Sequence, residues 1–232
     1  MVTRLEGHAF RRFDGALVYL HTEVLAMAGL VLEQIQLALE SFRTQDQEIL
    51  DSVCRKEYQV DGLEKKIDSA ITQILAREGP VAFDLRAVMA FSKAVTDLER
   101  LGDEAVRIAQ LSAKICSGES GFSNTHMLRD IGIMGDHACS LLTEAIEILE
   151  TLDLDRAREL LVRSDLGKEF CTSFRILTSY VLEDTRNMRY IVNVVMVLKS
   201  LERIGDHAHN LAEYVVYIVS GHDIRHREND EK

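Results

Sequence analysis

Residues 97–110 read DLERLGDEAVRIAQ, and residues 200–213 read SLERIGDHAHNLAE. Seven of the fourteen positions are identical at an offset of 103 residues. The apolar seams around the two stretches also coincide. Val88, Phe91, Val95, Leu98, Gly102, Ala105 and Ala109 step alternately by three and four, and so do Ile191, Val194, Leu198, Leu201, Gly205, Ala208 and Ala212. This is the spacing of a buried seam in a near-antiparallel helix bundle. Its recurrence marks a duplicated unit, so the chain reads as all-α, two tandem three-helix bundles related by internal duplication.

Working outward, the periodicity stays helical. Leu17, Leu20, Val24, Met27 and Val31, continued by Ile35, Ala38 and Phe42, form one apolar stripe on a first helix. Thr44 and Gln47 resemble a capping box that opens a second helix, running through Val53, Val60 and Ile67 to about Ala76. Gly79-Pro80 stops it, and a third helix follows with Asp84 in or before its first turn, ending near Cys116. The stretch SGESGFSNT, 117–125, is the clear linker. A fourth helix is expected over Thr125 to Leu149, a fifth capped by Asp153 and ending near Leu182, and a sixth capped by Asp184 and ending at Ser220-Gly221. The expected units are 1–118, 119–221 and a polar tail, 222–232.

Composition narrows the functional classes. A single proline and 13 glycines among 232 residues favour long helices over many turns. The net charge of −11 argues against nucleic-acid binding, which needs a basic face. The start of the chain lacks an apolar signal core. The longest apolar stretch, Tyr190 to Leu198, falls short of a membrane span. Cys54, Cys116, Cys139 and Cys171 form no Cys-x-x-Cys pair, as expected of reduced thiols in the cytosol. No nucleophile–histidine arrangement stands out, and the glycines lie inside helices rather than in a phosphate-cradling loop.

The chemistry-bearing feature is a carboxylate pair beside each seam glycine. Glu99 and Asp103, and Glu202 and Asp206, are four residues apart, so each pair shares one helix face. Such pairs read either as a solvated face or as oxygen ligands for a hard cation. Arg100 and Arg203 follow the glutamates and offer to neutralise them instead. Folding the second helix back on the third at Pro80 brings Glu57 and Asp61 to the height of Glu99 and Asp103, so these four carboxylates are expected to converge and hold a divalent or trivalent cation. The same reflection in the second unit lands near Ser164-Asp165, which makes Asp165 the candidate metal ligand there, with Glu169 about one turn away. His207 and His209 follow Asp206, but a ferritin-like di-iron site needs two acidic-x-x-His steps and only Asp206-x-x-His209 lies within the helices. A ferritin-like carboxylate-bridged metalloprotein, for storage or oxidation, is the alternative reading; a purely structural helical adaptor is a third.

These motifs resemble the paired signatures of the PhoU family of bacterial phosphate-uptake regulators. Arg12-Phe13-Asp14, the run Val24 to Val31 with Glu33-Gln34, Gly79 to Arg86, and Tyr180 to Asp184 agree with it. The resemblance covers essentially the whole chain. It implies a cytoplasmic, non-enzymatic regulator that restrains the Pst phosphate transporter and supports phosphatase-side signalling by the PhoR sensor kinase. The implied partners are the transporter's ATPase subunit, a PhoR-type kinase and a second copy of the chain, with the membrane reached only through them. The resemblance also implies a metal ion or multinuclear cluster, iron or zinc, on Glu57, Asp61, Glu99, Asp103, Glu202 and Asp206. Ser164 and Gly167 stand near where acids are usual in the second unit.

Overall fold

The computed structural model describes residues 11–44, 47–116, 125–163, 166–183 and 187–224. They form seven helices: α1 (Arg11–Thr44), α2 (Gln47–Glu78), α3 (Ala82–Cys116), α4 (Thr125–Thr151), α5 (Leu154–Arg163), α6 (Leu166–Glu183) and α7 (Met188–Ser220). Among the described residues there is no strand. α1, α2 and α3 pack on one another, and α7 packs on α4, α5 and α6. The expected fifth helix is described as two stretches, α5 and α6, on either side of residues 164–165, which lie outside the described residues. Each unit is therefore a three-layer bundle, with α5 and α6 together filling the place that α2 fills alone.

The stripe on α1 is the floor of the core: Leu17, Leu20, Val24, Met27, Val31, Ile35 and Ala38 are fully buried. Burying each large side chain contributes about 1.5–3 kcal/mol. The 28-residue stretch Gly15–Phe42 is also long and apolar enough to cross a membrane, with a mean hydropathy of 1.6. This corrects the reading that no apolar stretch approaches a span. Its apolar stripe is covered by α2, α3 and α4, which makes it a core helix.

Several ends form as expected. Gly79 takes φ +55° between α2 and α3, a left-handed conformation that suits glycine. The Asp153 carboxylate accepts from the backbone N–H groups of Asp155 and Arg156, each at 3.1 Å, and so caps α5. Gly221 ends α7 with φ +76° and donates its N–H to the Tyr217 carbonyl. Thr44 differs from its expected role: its hydroxyl donates back to the Glu40 carbonyl at 3.2 Å, closing α1 rather than opening α2. Asp184 lies outside the described residues; α7 starts after Asn187.

The two signature helices, α3 and α7, lie against each other. Arg86 near the start of α3 donates to the Ile218 carbonyl near the end of α7, and Arg203 Nη1 meets Glu104 Oε1 at 2.7 Å, so the helices run antiparallel. By this register Gly102 and Gly205 sit at one level. On one side of that level Asp97, only 3% exposed, accepts from Tyr214 Oη at 2.7 Å and Asn210 Nδ2 at 3.3 Å and pairs with His207 Nδ1 at 3.0 Å. Burial works to raise the Asp97 carboxyl, but these donors and the charge on His207 outweigh it and hold the group below its ordinary value. A second tie joins α1 to α4: the buried His21 ring stacks on Phe91, and its Nε2 bonds the Leu149 carbonyl at 2.9 Å.

Candidate functional site: an acidic face on α2 and α3

The expected reflection about Pro80 brings the first set of carboxylates together. Glu57 and Asp61 on α2 face Glu99 and Asp103 on α3, and Glu64 extends the group by one turn. Their mutual charge is felt: burial raises the Glu57 carboxyl above its ordinary range, opposed by a hydrogen bond from Gln34 and reinforced by Asp103, Asp61 and Glu99. Burial likewise raises Glu99, with Asp103, Glu64 and Asp61 adding to it and Arg100 opposing. Glu64 is raised in the same way, by burial and then by Asp68 and Asp61. Among the described residues none of Glu57, Asp61, Glu64, Glu99 and Asp103 is in a salt bridge. Neither neighbouring arginine forms a salt bridge with the glutamate it follows, although the charge of Arg100 acts on Glu99. Arg100 lies 3.9 Å from Asp97, and Arg203 turns to Glu104.

The glycine makes room for this face. A Cβ on Gly102 would lie 2.7 Å from Glu57 Oε2 and 3.3 Å from Gln34 Oε1. Gln34 is fully buried; its Nε2 donates to Glu57 Oε2 at 2.6 Å and to the Val53 carbonyl at 3.2 Å, while its Oε1 has no hydrogen-bond partner. Gln34 and Glu64 are site residues that spacing did not single out. The readable signal for Gln34 was an amide three residues after Val31 and four before Ala38, on the apolar stripe of α1.

The arrangement corrects the expected metal centre. Among the described residues no group of three or more His, Cys, Asp or Glu side chains comes together closely enough to hold a metal ion. The reason is visible in the side chains. Glu57 is drawn inward to Gln34, and Asp103 is exposed to solvent. The iron or zinc ion or cluster expected on Glu57, Asp61, Glu99, Asp103, Glu202 and Asp206 is therefore not supported, nor is a ferritin-like metalloprotein. In the second unit Glu202 is paired with Lys199. Asp206 is raised by burial and then by Glu202, with Lys199, His207 and His209 opposing. Asp165 lies outside the described residues. Glu169 points elsewhere, pairing with His137 at 2.8 Å.

Comparison with known proteins agrees with the duplication. The family model described as "PhoU domain" matches this chain twice, at residues 24–112 and 131–215. The two matches end 103 residues apart, the offset of the repeat. The chain is 35% identical over 223 residues to a phosphate-specific transport system accessory protein PhoU homolog of Pseudomonas putida, covering 96% of this chain and 86% of the relative. It is 31% identical to the Escherichia coli (strain K12) phosphate-specific transport system accessory protein PhoU over 98% of this chain and 93% of the relative. The crystal structure of PhoU from Pseudomonas aeruginosa superposes with a TM-score of 0.83 at 34% identity, covering 90% of this chain and all of that one. The crystal structure of a phosphate transport system regulatory protein PhoU from Streptococcus pneumoniae, at 21% identity and a TM-score of 0.82, shares the fold. With both halves matched by the same family model and relatives similar along nearly the full length, the chain belongs to the PhoU family.

Proposed function

We propose that the chain is a negative regulator of phosphate uptake and of the phosphate-starvation response. It acts in the cytoplasm as a non-catalytic adaptor between the ATPase subunit of a Pst-type phosphate transporter and a PhoR-type sensor kinase. The carrying observation is the double family match over 24–112 and 131–215, joined to relatives described as accessory proteins of the phosphate-specific transport system. Two bundles tied along α3 and α7 offer two separate outer surfaces, which suits a protein that meets two partners. On this reading 1–118 and 119–221 are the two docking units and 222–232 a tail, the working form is a homodimer, and the membrane is reached through the transporter. The −11 charge would repel anionic lipid, so direct attachment is disfavoured.

The test is deletion of the gene in its own host during growth in abundant phosphate. The expected result is derepressed alkaline phosphatase and unrestrained uptake, both restored by the wild-type chain on a plasmid. Phosphatase that stays repressed in the deletion overturns the reading. Co-purification of the tagged chain with the transporter ATPase and with the kinase tests the adaptor role, and loss of membrane association in a transporter deletion tests how the membrane is reached.

A further inference from the structure

We propose that the chain straddles a two-fold-symmetric protein dimer, with an apolar pair from each repeat seated on one protomer; this rests on the adaptor reading above and adds the surface and the valency. The pairs are Leu85 and Met89 near the start of α3, and Met188 and Val192 at the start of α7. Three observations carry it. First, the four side chains are 40–49% exposed, and the pairs stand 103 residues apart, the offset of the repeat. Among the exposed large hydrophobics of the described residues, no others fall on matching positions. Core packing explains why the buried seams match. It gives no reason to keep the same exposed apolar pair twice, whereas a contact surface does. Second, the pairs share one face. α3 and α7 are antiparallel neighbours, with α1 packed on α3, α4 packed on α7, and α1 and α4 packed on each other beneath them. The rotation that exchanges antiparallel neighbours is a two-fold perpendicular to both, and it keeps the open side open. Third, the pairs are far apart. In the register that sets Gly102 beside Gly205, the middle of the first pair is level with Ser220. That is roughly 30 residues along α7 from the second pair, or about 45 Å at a rise of 1.5 Å per residue.

This placement selects the occupant. A 100-residue domain, with a radius of gyration of about 13 Å, is roughly 35 Å across and does not reach both pairs. Two half-exposed side chains also fall far short of the roughly 800 Å² that each side of a stable interface buries, so neither pair holds a partner by itself. A homodimer answers both needs. It presents one apolar socket twice, related by its own two-fold, and once the first contact is made the second forms intramolecularly. A second copy of this chain laid on the face would bring the same net charge of −11, so charge favours a different protein.

The probe is the host's Pst-type transporter, purified in detergent with its pair of ATPase subunits and titrated with the full chain. Leu85→Gln/Met89→Gln and Met188→Gln/Val192→Gln are each expected to weaken binding by about a hundredfold, and equally, because either variant leaves a single contact. Ile133→Gln/Ile176→Gln, an exposed pair between α4 and α6 that the repeat does not match, should bind as wild type. Circular dichroism melts check that each variant is folded. A second measurement leaves the apolar character of the pairs in place: the photo-crosslinker benzoylphenylalanine is put at Met89 and at Val192, singly and together. Each position should crosslink to the ATPase subunit, and the doubly substituted chain should yield a product holding two ATPase subunits. No binding to the transporter, a loss confined to one pair, an equal loss in the Ile133→Gln/Ile176→Gln control, crosslinks from the two positions to different proteins or to a second copy of the chain, or a double product that never holds two ATPase subunits each overturns the proposal. The gene-deletion test is independent of these arms. A chain that represses the phosphatase but fails them removes the two-point contact and leaves the regulatory reading standing.

Discussion

Gly102 and Gly205 hold the same place in the two repeats, yet they look onto different chemistry. A Cβ on Gly102 would meet the Glu57 carboxylate at 2.7 Å; one on Gly205 would meet Leu166 Cδ1 at 2.6 Å. The matching residues therefore preserve a backbone device, a close approach of the second helix to the signature helix. What that helix presents there is not preserved. The positions where the repeats differ do another job. Asp97 answers Ser200, Glu104 answers His207, and Arg107 answers Asn210 across the repeat. These unmatched residues supply most of the polar joint between α3 and α7. On one side of the glycine level Asp97 is satisfied by three side chains of α7; on the other, Ser200 Oγ and Glu104 Oε2 are buried without hydrogen-bond partners. Duplication gave a symmetric scaffold, and divergence filled the two sides of the joint differently: a fully satisfied Asp97 on one, the Arg203–Glu104 ion pair beside two orphaned polar atoms on the other.

The largest expected effect breaks the joint on its satisfied side. Asp97→Ala strands three donors in a buried interface and removes a buried charged partner from His207. Such losses cost about 3–5 kcal/mol. For a chain of this size that lowers the melting temperature by roughly 6–20 °C. Ser200→Ala, its counterpart in the repeat, removes a hydroxyl that has no partner and is expected to stay within about 0.5 kcal/mol of wild type. Thermal denaturation followed by circular dichroism checks both. Equal losses in the two variants would mean that the joint is symmetric after all.

The next effect compares the glycines themselves. Alanine gains about 1 kcal/mol over glycine in a helix interior. At Gly205 that gain meets overpacking against Leu166, which is only 3% exposed and hemmed in by the second core. Overpacking of this kind costs about 1–3 kcal/mol. Gly205→Ala is therefore expected to lose on the order of 1 kcal/mol net. At Gly102 the obstacle is the end of a half-buried carboxylate that can swing toward solvent. Gly102→Ala trades its helix gain for the Gln34–Glu57 hydrogen bond, and the result is expected near zero. Chemical denaturation midpoints order the two; a larger loss at Gly102 would show that the acidic face is as tightly packed as the Leu166 contact.

The parts of this architecture that sequence made legible are those set by period. The stripe from Leu17 to Ala38, the twin seams and the turn at Gly79-Pro80 follow from spacing alone, and so does the meeting of Glu57 and Asp61 with Glu99 and Asp103. Spacing sets height along a helix. It does not set where a carboxylate points once it gets there. Glu57 turns inward because Gln34 offers it a donor, and that pair joins residues on different helices, so no local pattern shows it. The same limit hid the joint. Asp97 and His207 looked like ordinary members of their helices, and only the antiparallel register of α3 on α7 makes them partners.

The smallest expected effect separates the two carboxylate pairs by pH. The ordinary Glu57 value is 4.5, and burial followed by the charges of Asp103, Asp61 and Glu99 raises it in the folded chain despite the Gln34 donor. Between the unfolded and folded values the folded chain keeps a proton that the unfolded chain has lost. Stability therefore falls as pH rises through that window, and at pH 7 the ionised Glu57 is a standing cost. Glu57→Gln removes the charge and keeps an acceptor for Gln34. Because Glu57 is half-buried and partly screened by solvent, the gain is on the order of 0.5 kcal/mol, or about 1–2 °C in melting temperature. Asp206 is also raised, but Lys199, His207 and His209 oppose the rise, so Asp206→Asn is expected to gain less. As the pH is lowered toward 4, wild-type Glu57 takes up its own proton and the advantage of Glu57→Gln should close. Melting curves of the three proteins at pH 7 and pH 4 test this. A Glu57→Gln chain no more stable than wild type at pH 7, or an advantage that widens in acid, would mean that the carboxylates of the first repeat are already compensated and that the two repeats do not differ in charge.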